Sequence, residues 1–84
     1  MSEYTIFSLK HEIREFCPIQ IFINDEEVWT DNVDLTDIDE ETADKMLREN
    51  YQQYKNVLDR NDIVKSITFD IVHYHHSIVH ITTV

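Results

Sequence analysis

Three patterns in the chain predict an α+β fold in the order α-ββ-α-ββ, an antiparallel four-stranded sheet with both helices packed on one face. Apolar residues recur at helical spacing near the start and again from residue 38 to 60. Two stretches, 18–33 and 63–84, are rich in β-branched residues and are each broken by a short polar turn. The whole is 84 residues long, the size of one small domain with a modest core.

The first helix rests on Ile6, Leu9, Ile13 and Phe16, spaced by three and four, with Lys10, Glu12, Arg14 and Glu15 on the wet side. Pro18 disfavours helical geometry at Cys17 and stops it. A strand over residues 4 to 9 is the alternative, because Tyr4, Thr5 and Ile6 tolerate one. The segment PIQIFINDEEVWTDNV then reads as a β-hairpin. Ile19, Ile21 and Ile23 alternate with Gln20, Phe22 and Asn24, and Asn24-Asp25 supply left-handed turn positions without glycine.

Ala43, Met46, Leu47, Tyr51, Tyr54, Val57 and Leu58 form the apolar stripe of the second helix. Asp37 with Glu40 resembles a capping box, Asp39 with Thr42 competes as the cap pair, and Asn61 is placed to end the helix in the left-handed conformation. The last segment reads as a second hairpin. Ile67, Phe69 and Ile71 share a face with Val79 and Ile81 if Ile71 pairs with Val79. That register turns the chain at Tyr74 to His76 and sets Asp70 opposite His80 on the other face.

Charge is distributed unevenly. Seventeen acidic residues oppose seven Lys and Arg, for a net charge of −10. Ten of those acids lie in DEEVWTDNVDLTDIDEETAD, residues 25–44, which holds no Lys, Arg or His; the seven acids elsewhere balance the seven bases. Such a balance argues against a phosphate-binding protein, which needs a basic face, and direct nucleic-acid binding is not expected; it favours a basic partner, a cation, or nothing beyond solubility. A helix start explains Asp37, Asp39, Glu40 and Glu41, since negative charge there complements the helix dipole. It does not explain Asp25, Glu26, Glu27, Asp31 and Asp34. Crowded like charges repel, so this surplus adds nothing to stability. Trp29 within the stretch has two readings, an aromatic anchor of the kind enriched at interfaces and a core tryptophan of a half-buried strand.

Other chemistry is weakly represented. The chain has no glycine, which argues against Walker A loops, dinucleotide-binding turns and EF-hands. One alanine and one proline against eleven isoleucines hint at an AT-rich genome, cellular or viral. Asp31, Asp34, Asp37 and Asp39 are close enough to suggest calcium but satisfy no known loop spacing. His73 and His75 fall on one side of a strand and could share a metal, but the expected register sends His80 to the other face and leaves His76 in the turn. Two ligands rarely suffice, so no metal is expected, and pH sensitivity is the other role open to the cluster. Ser77, His80 and Asp70 invite a triad, but nothing supplies an oxyanion hole, and no enzymatic activity or cofactor is expected.

Cys17 is the single cysteine, which permits no internal disulfide and favours a reducing compartment. The start MSEYTIFSLK lacks signal-peptide features and no apolar run is long enough to span a bilayer, so a soluble cytoplasmic protein is expected, in the host cytoplasm if viral.

No motif assigns a family. The expected function is that of a non-enzymatic inhibitor or regulator. Its acidic surface (Asp25, Glu26, Glu27, Trp29, Asp31, Asp34, Asp37, Asp39, Glu40 and Glu41) docks on a basic, nucleic-acid-binding surface as a nucleic-acid mimic. Small phage inhibitors of host defence, anti-CRISPR proteins among them, share this short, acidic character; the parallel is one of style and no residue carries it. The alternative is an assembly module that self-associates through its sheet, as a homodimer for example, with the acids serving solubility.

Overall fold

The computed structural model describes residues 3–84; Met1 and Ser2, which open the stretch read for a signal peptide, lie outside the described residues. A 3-10 turn at Phe7–Leu9 leads into α1 (Lys10–Glu15), followed by β1 (Pro18–Ile23), β2 (Glu26–Thr30), α2 (Glu40–Leu58), β3 (Val64–His73) and β4 (His76–Thr83). The strands form one sheet in the order β2-β1-β4-β3.

The α+β class stands, but the expected all-antiparallel sheet does not. β1 and β4, the central strands, run parallel, so the sheet is mixed. The cause is α2. Its middle lies beside the end of β2, since Trp29 meets Asn50 and Tyr54, while the strand pairings set the start of β3 at the end of the sheet where β2 starts. The helix therefore returns the chain to the end from which β2 set out. β3 then runs parallel to β2, as in any strand–helix–strand crossover, and β4 must run parallel to β1.

The core lies between the sheet and the helices. Ile21 pairs with Val79 and Ile23 with Ile81, and all four are buried. Ile6, Ile13, Val57 and Leu58 cover them, with Trp29 closing one side. The other sheet face carries no helix; there Phe22 stacks on His80 with ring centroids 5.1 Å apart. The N-terminal segment is pinned by backbone bonds, Ile6 N–H donating to the Asp62 carbonyl and Val64 N–H to that of Tyr4. The strand alternative for residues 4–9 survives only as a single bridge, Thr5 to Ile63.

Local expectations fare unevenly. The Asn24-Asp25 turn forms with both residues left-handed, φ 51° and 67°. Cys17 also takes φ 47°, so the chain turns sharply where Pro18 forbids more helix. The capping box does not form: Asp39 is the N-cap, with no side-chain cap bond, and Asp37 sits two residues outside at φ 60°. Asn61 is not left-handed either. The helix ends instead as the Asp59 and Arg60 amides bond carbonyls of the last turn.

The second hairpin pairs Phe69, not Ile71, with Val79, a slip of two residues from the expected register. An irregularity between Ile71 and His73 and a two-residue turn at Tyr74-His75 produce it. An even slip preserves faces, so Ile67 and Phe69 still lie on the side of Val79 and Ile81. Asp70 now pairs with Ile78 and reaches His80 diagonally, its carboxylate 3.3 Å from Nε2.

α2 is longer than the strand it covers. Nineteen residues span about 28 Å, against about 17 Å for the five of β2. Only Val57 and Leu58 at its end are buried, while Leu47 is 46% exposed. The molecule is accordingly elongated, 51 × 26 × 21 Å, with a radius of gyration of 14.0 Å. A compact chain of this length is expected near 12 Å. This half-packed helix sets a stability contrast. Ile13→Ala, in the sealed core, is expected to cost about 2–5 kcal/mol in urea unfolding. Leu47→Ala, on the overhang, is expected to cost less than about 1 kcal/mol. Equal losses would mean the overhang is packed.

Candidate binding surface

The acidic stretch divides in space. Asp25 occupies the β1–β2 turn and Glu26 and Glu27 open β2, whereas Asp31, Asp34, Asp37, Asp39, Glu40 and Glu41 follow the loop from β2 to the start of α2. Since β2 rises about 3.3 Å per residue, the groups sit at opposite ends of the strand, about 20 Å apart. All nine side chains are exposed. The ion pairs among the described residues are Lys10–Asp59, Arg60–Asp62 and His80–Asp70, so no acid of residues 25–44 has a basic partner within 4.0 Å.

The turn is held firmly. Asn24 N–H donates to the Ile81 carbonyl at 2.8 Å, and its side chain exchanges two hydrogen bonds with Thr83. Glu26 pairs with Ile23 on the helix side; Glu27 pairs with Phe22 on the bare face, where it accepts a hydrogen bond from Gln20. The three acids therefore do not share one plane. Asp25 stands where the backbone is left-handed, a conformation Asp tolerates better than most residues, and so does Asp37.

Along the loop, Asp31 N–H closes the hairpin by donating to the Ile19 carbonyl at 2.8 Å. Asp34 accepts from the Thr36 N–H at 2.9 Å. That bond, reinforced by the Thr36 hydroxyl, holds its carboxyl below the usual range. Asp39, Glu40 and Glu41 stand at the helix start, where the dipole favours them.

Trp29 is placed in the core. It is 7% exposed, packs against Tyr54 at 4.5 Å between centroids, and donates its Nε1–H to the Asn50 carbonyl at 3.1 Å. The strand-core reading of this residue is the one the structure displays. The triad does not assemble. Ser77 is fully buried on the helix side and donates its hydroxyl to the Phe16 carbonyl at 2.9 Å, while His80 lies on the opposite face. Among the described residues no group of three or more His, Cys, Asp and Glu side chains is arranged to hold a metal ion. No helix among them is long and apolar enough to cross a membrane.

One arrangement escaped the sequence reading. Lys10 and Arg14 of α1 face Tyr51, Tyr54 and Lys55 of α2 across a hollow. Its trace in the sequence is two i, i+4 pairs, Lys10/Arg14 and Tyr51/Lys55, which bring the four side chains to facing helical surfaces. No protein-family model, curated protein or solved structure matches this chain.

The Asp34 turn yields a titration. Its folded pKa lies below the unfolded value of about 3.9, so its contribution to stability is complete above that pH and fades as pH falls through the folded value. NMR titration is expected to place the Asp34 midpoint below the ordinary Asp value. Thr36→Ala, which removes the lesser hydroxyl contribution, is expected to raise it only part of the way. A wild-type midpoint at the ordinary value would remove the turn from the solution structure.

Proposed function

We propose that this chain is a non-enzymatic inhibitor or regulator whose exposed carboxylates dock on the basic surface of a nucleic-acid-binding protein. One observation carries the reading: among the described residues the acids of residues 25–44 have no basic partner within 4.0 Å, and they include an anchored turn and a helix start. A fold gains little by leaving so many like charges uncompensated. A Lys/Arg cleft evolved for phosphates meets closely spaced negative charge, and carboxylates at fixed positions offer the same without a condensed counterion atmosphere. The turn at one end of β2 and the loop at the other form two charged contacts, matching a partner that spans about 20 Å. The protein acts in the cytoplasm, or in the host cytoplasm if it is viral, and an inhibitor of a phage-targeted defence system is the setting that suits it.

A second reading has its own support. β3 is a ten-residue edge strand whose outer side, beyond the Val64 N–H bonded to the Tyr4 carbonyl, pairs with no other strand among the described residues, and Ile71 and Val72 near its end are 56% and 49% exposed. Edges of this kind template pairing with another strand. In this reading the chain assembles with its own copies through β3, as a homodimer for example, and the acids keep the assembly soluble.

Charge reversal separates the two. Asp31, Asp34 and Asp37 changed together to Lys are expected to lower affinity for the basic partner by at least about tenfold, and Asp25, Glu26 and Glu27 likewise. Duplex DNA should compete for the same surface, and the wild-type complex should weaken steeply with salt. A complex insensitive to both salt and DNA would overturn mimicry. A homodimer that survives both reversals but is lost on Val72→Lys, read by sedimentation, would establish assembly in its place.

A further inference from the structure

The groove between the two helices carries the opposite sign from the rest of the molecule. Lys10, Arg14 and Lys55 converge on a hollow of about 140 Å³, with Asp59 the one carboxylate in its lining. Lys10 is committed twice, to Asp59 at 3.8 Å and to the face of Phe7 at 4.1 Å. Arg14 and Lys55 have no carboxylate within 4.0 Å among the described residues. Each lies near the end of its helix, where the dipole favours a cation. That accounts for their charge, but not for their meeting from two elements across one hollow.

A second, more open hollow of about 350 Å³ shares Arg14, Tyr51 and Tyr54 with it, and Trp29, Pro18, Ile19, Asp31 and His76 are among its other lining residues. Tyr51 is 55% exposed although it sits on the apolar stripe of α2, and its ring lies 5.6 Å from the Lys55 ammonium. One compartment is cationic and small, and the next is aromatic and flat. Small-molecule sites combine these parts, an apolar or aromatic wall with a few placed polar groups, in volumes of about 300–1,000 Å³.

We propose that this groove binds a small phosphate monoester attached to a planar ring, of the nucleoside monophosphate or aryl phosphate class. The phosphate sits between Arg14 and Lys55, two cations with no carboxylate within 4.0 Å among the described residues, and Arg14 offers a fork of donors suited to phosphate oxygens. The ring lies against Tyr51 and Tyr54. Asp31, at the margin of the second hollow, repels the phosphate from that end and sets the orientation. Bare phosphate fills only the first compartment and a neutral nucleoside only the second, so tight binding requires both parts on one molecule. The site meets the docking surface of the mimicry reading at Asp31 and Trp29, and its chemistry does not depend on that reading.

Calorimetry and amide NMR on the full chain test this with four probes: adenosine 5′-monophosphate, phenyl phosphate, inorganic phosphate and adenosine. At least one ring-bearing phosphate is expected to saturate with a Kd of about 1 mM or tighter, shifting the amides of Arg14, Tyr51 and Tyr54. Inorganic phosphate and adenosine should each bind at least about tenfold more weakly. Arg14→Gln should weaken the complex by at least about tenfold, whereas Lys65→Gln, a cation on β3 away from the groove, should leave it unchanged. Arg14 is exposed, and matching thermal melts establish that both variants are folded. The proposal is overturned if neither ring-bearing phosphate saturates, if inorganic phosphate binds as well as they do, or if the two variants weaken binding equally.

Discussion

The parallel pairing of β1 with β4 is the contact on which the rest of the molecule depends. Each hairpin alone is a two-stranded ribbon, and such ribbons are marginal in water. Joined along Ile21–Val79 and Ile23–Ile81, they make a surface wide enough for Ile13, Val57 and Leu58 to seal. The same seam brings Ser77 beneath the end of α1, where its hydroxyl satisfies the Phe16 carbonyl, and sets Asn24 against Thr83, 59 residues away in sequence. The first turn is thus fastened by the last strand, and its acids project from a fixed base.

Around that seam, charge is sorted by place. Carboxylates line the outer turn and the loop, where water screens them, while three of the seven Lys and Arg residues gather in the cleft between helices. Ordinary pairing would have distributed Lys and Arg among the acids, since even weak surface pairs relieve repulsion. A net charge of −10 steers an approaching cationic partner before contact and so acts on the rate of encounter.

Much of this architecture was legible in the residues. The Asn24-Asp25 turn, the alternation in β1 and the stripe of α2 are local, and local rules predicted them. The direction of β4 relative to β1 was not local. It depends on α2 lying across the sheet as a return stroke, and periodicity says only that a helix exists. The second hairpin missed its register by two residues because an irregular Ile71–His73 step has no sequence marker as clear as a glycine. Glycine's absence also obscured the acids. Asp25 and Asp37 hold left-handed backbone where another chain would place glycine, so part of the negative charge comes with the turns. The cationic cleft was unreadable for a different reason: its halves are about forty residues apart, and each half alone looks like a solvated helix face.

The overhang of α2 has a consequence for how the molecule breathes. Opening the last turns exposes Val57 and Leu58 and breaches the core, so amides there exchange only through near-global unfolding. Toward Glu40 the helix rests on its own backbone bonds and on half-buried Ala43 and Met46, and an isolated segment of that length is marginal. The two ends of the helix are therefore expected to differ in protection, with amides of the last turns exchanging more slowly than those near the first. A partner that binds at Asp39, Glu40 and Glu41 adds contacts there that the fold itself does not supply.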